Sequence, residues 1–268
     1  MFTDVKPGTW YYNLIARFLK MKAVSGYEDG SFKPNQNITR AETLSFIDKH
    51  RRRESALVKS LTPSIVTIRG KRSDGSGILG SGVVLDKQGY IATNCHVAID
   101  GIDTWYELQV FFDSQPNTPY PARVPVGDLP QDIAILKVTC DESLLEPVRL
   151  TESLELLDEV YCIGNPLGYL DTASKGVVSC VERKIGGTVW IQTDAAINPG
   201  NSGGGAFNFL GELIGLPTWI IVWADAERTI PISNIGFIAP WYKVKQLYSQ
   251  AVSGASFVIG TRINFTIL

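Results

Sequence analysis

From about Ser64 onward, the sequence consists of short apolar runs separated by turn-forming residues, and this pattern limits the fold more than any other feature. The runs have strand length, with Gly, Asn, Asp or Pro between them. No helical periodicity alternates with them, which favours antiparallel β-barrels over βαβ units, and about 190 residues fit two small packed barrels. Examples of these runs are Ser64–Ile68, Gly82–Asp86, Tyr90–Thr93, Asp132–Val138, Glu159–Gly164, Gly176–Val181, Val189–Gln192, Glu212–Leu216 and Asn234–Ile238.

One helix is predicted after the last strand, over Pro240–Val252. Proline suits the first turn of a helix, because its missing amide hydrogen has no partner there in any case. The predicted fold class is therefore mainly β, with two barrels and a C-terminal helix. We assign residues 63–255 to this domain and residues 256–268 to a C-terminal tail.

Residues 1–50 have a different pattern, which predicts a small α-helical module. Leu14, Ile15, Phe18 and Leu19 fall on one face of a first helix. A turn-rich stretch follows, and a second helix is expected to begin at Thr39, because Thr39-Arg-Ala-Glu has the form of a capping box. Residues 51–62 are interpreted as a connector or helix between the module and the barrels.

Composition excludes several classes of protein. The 268 residues carry a net charge of −2, with 44% hydrophobic and 19% charged residues, so a packed core is expected and a basic nucleic-acid-binding face is not. The longest apolar stretch, around Leu213–Ala224, is interrupted by Gly215, Pro217 and Thr218, so no membrane-spanning helix is predicted. No signal peptide is visible.

The cysteines and histidines limit the chemistry further. Cys95, Cys140, Cys162 and Cys180 lie far apart without a CxxC spacing, so no metal site is predicted and buried thiols are favoured over disulfides. The two histidines are His50 and His96. Any histidine-dependent mechanism must use one of them.

The segment Asn198-Pro-Gly-Asn-Ser-Gly-Gly204 is the most informative motif. A serine among glycines on a tight turn exposes its hydroxyl, and the amides of Gly200 and Ser202 can converge on one point as an oxyanion hole requires. Taken alone, the motif is equally compatible with a simple loop.

Two further residues complete a candidate catalytic set. His96 follows an apolar strand, and Asp132 opens another, where it could also be an ordinary carboxylate that accepts local backbone bonds. The order His96, Asp132, Ser202 is one of the known triad orders on a double barrel. Cys95 and His96 are expected on a strand, where neighbours face opposite sides, so a Cys–His pair is not predicted.

Residues from about 56 to 253 resemble a trypsin-like serine protease domain of the HtrA/Deg type. The resemblance rests on Pro63-Ser-Ile-Val, Gly80-Ser-Gly-Val-Val, Tyr90-Ile-Ala-Thr-Asn-Cys-His-Val, Asp132-Ile-Ala-Ile-Leu-Lys-Val, Ile163-Gly-Asn-Pro-Leu-Gly, Ile191-Gln-Thr-Asp-Ala-Ala-Ile-Asn-Pro-Gly-Asn-Ser-Gly-Gly and Asn234-Ile-Gly-Phe-Ile-Ala-Pro.

This resemblance implies a trypsin-like two-barrel fold and the function of a serine endopeptidase that acts on unfolded or extracytoplasmic proteins. It places His96, Asp132 and Ser202 at the triad positions and the amides of Gly200 and Ser202 in the oxyanion hole, and it requires no cofactor or metal. HtrA-like domains are often trimers. The substrate-binding positions that it implies are Ala196, Ile197, Gly236 and Phe237, of which Ala196 stands six residues before the serine.

Residues 1–50 resemble one S-layer homology (SLH) module, through Phe2-Thr-Asp-Val, Trp10, Gly26-Tyr-Glu-Asp-Gly-Ser-Phe-Lys-Pro-Asn and Ile38-Thr-Arg-Ala-Glu. Such modules bind secondary cell-wall polysaccharide in bacteria, which implies an extracytoplasmic location at the cell envelope. Arg40 and Tyr27 are the candidate carbohydrate-binding residues, and the pattern around Arg40 is equally compatible with simple pairing to a local carboxylate.

Two classes of function remain open from the sequence. The first is a serine endopeptidase with polypeptide substrates, anchored to the envelope by the module. The second is a non-catalytic protein that binds cell-wall carbohydrate or peptides through a protease-like barrel.

Overall fold

The computed structural model describes residues 2–20, 24–37, 40, 53–72, 75–100, 103–104, 107–165, 172–198, 201–220 and 233–259. The chain divides into two compact units, Met1–Leu57 and Val58–Leu268. No helix within the described residues is both long and apolar enough to cross a membrane.

The first unit contains helix α1 (Tyr12–Lys20) and a structured loop over residues 24–37. Ile15 is buried on the predicted apolar face of α1, and Phe18 and Leu19 are half-buried. The carboxylate of Asp4 accepts the backbone amides of Phe32 and Lys33, each at 2.7 Å, and these bonds fasten the loop to the start of the chain. The same bonds, that of Phe32 above all, lower the pKa of Asp4.

The predicted second helix of the module lies almost wholly outside the described residues. Of the proposed capping box, Arg40 is helical and exposed, while Thr39 and Glu42 are not described. Residues 53–61, within the predicted connector, are helical and form α2.

The second unit is mainly β, as predicted. Its strands are β1 (Ile65–Lys71), β2 (Gly77–Val84), β3 (Tyr90–Thr93), β4 (Ile99–Asp100), β5 (Asp103–Thr104), β6 (Glu107–Phe112), β7 (Tyr120–Asp128), β8 (Ile133–Val138), β9 (Arg149–Leu150), β10 (Glu159–Gly164), β11 (Thr172–Ile185), β12 (Thr188–Thr193), β13 (Gly205–Phe207), β14 (Glu212–Ile220), β15 (Gly236–Pro240) and β16 (Phe257–Ile259). Its helices are α3 (Cys95–Ala98) and α4 (Trp241–Val252), with 3-10 turns at Thr62–Ser64 and Glu142–Leu144.

Six described strands form the first barrel, in the order β7-β6-β1-β2-β3-β8, and the pairing of β8 with β7 closes it. Neighbouring strands are antiparallel, with Ile65 opposite Val83 in the β1–β2 pair. β16 extends the sheet by a parallel pairing with β7, so the predicted tail begins as a strand. Buried aliphatic and aromatic side chains fill the interior: Val66, Ile68, Val84, Ile91, Leu108, Val110, Phe112, Leu136 and Val138.

The second barrel follows the order β13-β10-β11-β12-β15-β14, also six described strands, and β13 and β14 pair to close it. β9 lies parallel to β14 at its margin. The core includes Val160, Cys162, Val178, Ile191 and Ile238. The sequence prediction of two closed antiparallel barrels is thus confirmed.

Helix α4 follows the second barrel in the chain but is fastened to the first. The Tyr248 hydroxyl donates to the Asp86 carboxylate at 2.8 Å, and the Tyr90 hydroxyl donates to the Ala251 carbonyl at 3.3 Å. Burial, together with the bond to Asp86, raises the pKa of Tyr248 to about 12. Pro240 precedes the helix as its N-cap residue rather than opening its first turn.

Candidate active site

His96 lies on α3, a helix of four residues that follows β3. The expectation that Cys95 and His96 occupy a strand is wrong, because the chain turns into this short helix at Asn94. The Cys95 thiol is buried and donates to the Ile133 carbonyl at 3.0 Å, whereas 28% of the His96 side chain is exposed. The two side chains still face different surroundings, as the prediction against a Cys–His pair requires.

Asp132 holds His96 through two hydrogen bonds. One carboxylate oxygen lies 2.6 Å from Nδ1 of His96, and the other accepts the His96 backbone amide at 2.9 Å. A carboxylate at Nδ1 fixes the tautomer that carries a proton there, which leaves Nε2 as the basic nitrogen. This pair can therefore take up a proton and stabilise the resulting imidazolium.

The backbone of Asp132 is left-handed, with φ of 56° just before β8. This conformation costs about 1–2 kcal/mol for most residues, although aspartate tolerates it better than most. The Asp132 amide donates to the Leu129 carbonyl at 3.2 Å, which helps to hold the turn. Such backbone strain clusters at functional sites.

Ser202 lies on the tight turn between β12 and β13, where the two barrels meet. Its carbonyl accepts the backbone amide of Ser81, on β2, at 3.0 Å. Gly203 is left-handed, with φ of +79°, and a Cβ atom there would collide with the Ser81 carbonyl and the Thr93 hydroxyl. The glycines of the motif thus permit close contact between the two barrels.

The hydroxyl of Ser202 donates to the Thr218 carbonyl at 3.4 Å, and no hydrogen bond joins it to His96 within the described part of the chain. The amides of Asn201, Gly203 and Gly204 donate to backbone carbonyls. The Ser202 amide, in contrast, has no acceptor among the described residues. Gly200, the other predicted oxyanion donor, lies outside them.

Asn94 and Thr218 belong to the same site, and the sequence analysis missed both. Asn94 Nδ2 donates to the Asp132 carbonyl at 2.8 Å and to the Thr218 hydroxyl at 3.0 Å. Thr218 in turn supplies the carbonyl that accepts the Ser202 hydroxyl. The sequence gives one local indication of these hydrogen bonds, which is that Asn94 stands two residues before His96.

The implied substrate-binding residues have unequal accessibility. Ala196 is exposed, while Ile197 is buried in the core of the second barrel. A Cβ atom on Gly236 would lie 2.8 Å from Cδ1 of Ile197. Phe237 is buried and stacks on Trp219, with ring centroids 4.0 Å apart. Ala196 is thus directly accessible to a substrate, whereas Ile197 and Phe237 are buried beneath the surface of the second barrel.

In the first unit, Tyr27 is 44% exposed and Arg40 is exposed. The Lys33 ammonium lies 4.1 Å from the centroid of the Tyr27 ring and 3.6 Å from the Asp29 carboxylate. The loop therefore presents an exposed aromatic ring with a cation over one of its faces.

The four cysteines all lie in the described part of the chain, and none forms a disulfide bond. Burial raises the pKa of the Cys162 thiol to about 12, which makes it inert at neutral pH. Among the described residues, no cluster of three or more His, Cys, Asp or Glu side chains has the geometry to hold a metal ion.

Two family models match the chain: the trypsin-like peptidase domain over residues 80–216 and the S-layer homology domain over residues 2–44. The first covers about half of the chain. The chain therefore belongs to the trypsin-like peptidase family and carries an SLH module.

Several individual proteases are similar to the chain. It is 38% identical over 172 residues to protease Do-like 1, chloroplastic, of Arabidopsis thaliana, covering 59% of this chain and 38% of that protein. It is 36% identical over 200 residues to the periplasmic serine endoprotease DegP of Salmonella typhimurium, covering 69% of this chain and 39% of that one. The chain thus spans about two fifths of the length of these curated relatives.

Two solved protease structures are also similar to this chain. An HtrA-type protease with a tripeptide matches with a TM-score of 0.63 and 27% identity, over 73% of this chain and 62% of that one. The serine endoprotease from Yersinia pestis matches with a TM-score of 0.60 and 29% identity, over 74% and 65% of the two chains. This chain is accordingly a member of the trypsin-like peptidase family that is similar to HtrA-type proteases, with an SLH module at its N-terminal side.

The Asp132–His96 pair generates the first prediction. Asp132→Asn keeps the size of the side chain but removes its charge, so we expect kcat for peptide hydrolysis to fall by about 10⁴-fold. The midpoint of thermal unfolding should change little. A matched control is Asp141→Asn, at the cap of an exposed 3-10 turn where asparagine can accept the same bond. An Asp132→Asn variant with near-normal kcat would exclude Asp132 from the catalytic set.

Proposed function

We propose that this chain is a serine endopeptidase in which Ser202 is the nucleophile, His96 the general base and Asp132 the residue that orients His96. The observation that carries the proposal is the double hydrogen bonding of Asp132 to His96, at 2.6 and 2.9 Å, beside the barrel contact that holds Ser202. Membership in the trypsin-like peptidase family and similarity to a serine endoprotease support the same role.

The proposed reaction begins when the Ser202 hydroxyl leaves the Thr218 carbonyl and turns to Nε2 of His96. His96 takes the hydroxyl proton as the Ser202 oxygen bonds to the peptide carbonyl carbon. His96 then gives that proton to the leaving amine, and water hydrolyses the acyl-enzyme by the same exchange of roles. In apo structures catalytic hydrogen bonds are often unformed until substrate binds.

The proposed oxyanion hole consists of the amides of Gly200 and Ser202. The Ser202 amide supports this, because it lacks an acceptor among the described residues while its neighbours donate elsewhere. An amide aimed at the developing negative charge stabilises the transition state more than the substrate, and losing such a donor costs about 10²–10³-fold in kcat.

The proposed primary specificity pocket has Ala196 at its base, with Ile197, Gly236 and Phe237 around it. These residues provide no carboxylate to pair with a lysine or arginine side chain, and burying an unpaired cation is costly. Apolar and mostly buried walls favour small or medium aliphatic side chains at the cleaved position.

The SLH module is proposed to hold the peptidase at the bacterial cell envelope by binding cell-wall polysaccharide, with unfolded or extracytoplasmic proteins as substrates. The SLH match and the periplasmic relative support this location. Tyr27 and Arg40 are the proposed glycan contacts. A trimer of chains would present three modules and gain affinity through effective concentration.

The second prediction tests the nucleophile. Ser202→Ala should abolish nearly all cleavage of an unfolded model protein, because no hydroxyl remains to form the acyl-enzyme. Cleavage is followed by electrophoresis, and folding by circular dichroism. Ser249→Ala, at an exposed position on α4, is the matched control and should retain full activity.

Undiminished cleavage by Ser202→Ala would refute the serine mechanism. A wild-type chain that binds the unfolded protein but never cleaves it would favour the alternative, a non-catalytic peptide- and carbohydrate-binding protein.

The third prediction concerns specificity. Mapping cleavage sites in the unfolded substrate by mass spectrometry should find Val, Ala and Ile enriched at the residue before the cut, since the pocket lacks a counter-charge. A dominant signature of Lys or Arg would contradict the assignment of Ala196 to the pocket base.

The fourth prediction separates the two units. We expect the full chain to sediment with cell-wall polysaccharide, and a chain that begins at Glu54 to retain the peptidase activity but not to sediment. In the full chain, the double change Tyr27→Ala and Arg40→Ala should weaken sedimentation without lowering kcat. If the shortened chain is folded but inactive, the module is part of the enzyme and not only its anchor.

A further inference from the structure

Asn94 is a fully buried amide between β3 and α3 whose side chain does not serve its own helix. Asparagine at an N-cap commonly accepts an amide of the first turn, yet Asn94 makes no such bond. Its Nδ2 instead donates to the Asp132 carbonyl at 2.8 Å and to the Thr218 hydroxyl at 3.0 Å. The amide therefore links residues that are distant in sequence.

The orientation of this amide follows from its partners. A backbone carbonyl only accepts hydrogen bonds, so Nδ2 and not Oδ1 must face Asp132. Oδ1 is then buried without a hydrogen-bond partner among the described residues. An unpaired buried acceptor and an unused cap both disfavour folding. Because neither Oδ1 nor a cap bond contributes to stability, the contribution of an asparagine here lies in the two bonds that Nδ2 donates.

The two bonds of Asn94 connect the halves of the proposed catalytic set. One holds the carbonyl of Asp132, whose backbone is left-handed and whose carboxylate positions His96. The other holds Thr218, whose own carbonyl accepts the hydroxyl of Ser202. The hydrogen bond between Asn94 and Thr218 thus joins the first barrel to the second, and both residues are buried beneath the His96 and Ser202 side chains. We call this hydrogen bond the Asn94–Thr218 link.

We propose that Asn94 is a positioning residue that keeps the Asp132–His96 pair in register with Ser202, with Thr218 as its partner across the barrel contact. The inference rests on the proposed peptidase function. Neither residue takes part in bond making. Their contribution is the relative placement of groups on two separate barrels, and a displacement of about 1 Å can reduce the rate about 10²-fold.

The test compares Asn94→Leu and Thr218→Val, which remove the link from either end. Leucine keeps the branched shape of asparagine in a larger side chain, whereas valine has nearly the shape of threonine. We expect kcat to fall about 10- to 100-fold in each, with KM within about twofold of the wild type. Thr218→Ser retains the hydroxyl and should restore kcat to within about threefold. The thermal midpoint of Asn94→Leu should fall, because a larger side chain enters a fully buried site and the Asp132 carbonyl loses this donor, so kcat is measured well below that midpoint.

Asn208→Leu is the matched control, because Asn208 makes four side-chain hydrogen bonds at the turn between β13 and β14, where none of its partners is a proposed catalytic residue. It should lower the thermal midpoint and leave kcat of the folded enzyme unchanged. A normal kcat in Asn94→Leu, or equal losses of kcat in Asn94→Leu and Asn208→Leu, would overturn the proposal. If Asn94→Leu does not fold, the comparison of kcat between Thr218→Val and Thr218→Ser tests the proposal, and equal kcat in the two variants would overturn it.

A second readout does not depend on activity. Proton NMR of the folded chain should record a far-downfield resonance from the short Nδ1–H bond of His96, assigned easily because the chain has two histidines. The resonance should shift or broaden in Asn94→Leu and not in Asn208→Leu. If the wild type cleaves no substrate, the proposed function fails, and an unchanged resonance in Asn94→Leu would separately refute the positioning role.

Discussion

The contact between the two barrels at Ser202 is the constraint on which the candidate site depends. The amide of Ser81 reaches the Ser202 carbonyl at 3.0 Å, and Gly203 then passes so close to the first barrel that a Cβ atom would not fit. Because close-packed interiors resist small displacements, this contact holds the turn in place. A serine from one barrel can therefore work with a histidine and an aspartate from the other.

Backbone geometry on the first barrel completes that arrangement. The left-handed turn at Asp132 brings both carboxylate oxygens to His96, one to the ring and one to the backbone amide. His96 is therefore held in ring orientation and in position by the same side chain. The Asn94 side-chain amide donates to the Asp132 carbonyl and so holds the backbone of this turn. The close-packed barrels supply the rigidity that preorganised catalytic groups require.

The sequence predicted the barrels and the residues of the candidate triad, because each has a local signature. Strand-length apolar runs indicate closed sheets. The glycine-rich motif around Ser202 follows His96 and Asp132 in the chain, which is one of the known triad orders. Strands β6 and β7 are not among the predicted runs. In β7, Pro121 and Pro125 resemble turn residues, although Pro125 lies where the β7–β8 pairing is irregular. Such bulges tolerate proline, and no periodicity reveals them.

Helix α3 and the Asn94–Thr218 link escaped prediction for other reasons. Four residues are too few for a helical period, so Cys95 and His96 looked like the end of a strand. Asn94 and Thr218 are 124 positions apart, and only the folded barrels bring them together. Contacts of this kind depend on tertiary register, which a single sequence does not encode in any local pattern.

The most direct test of the central claim is reaction of the intact chain with a fluorophosphonate, measured by mass spectrometry and mapped to the modified peptide. Only a serine activated by a neighbouring base reacts rapidly with this reagent. We predict one adduct per chain, on Ser202, and a large loss of labelling rate in His96→Ala. No adduct on Ser202, or equal labelling of the wild type and His96→Ala, would contradict the account.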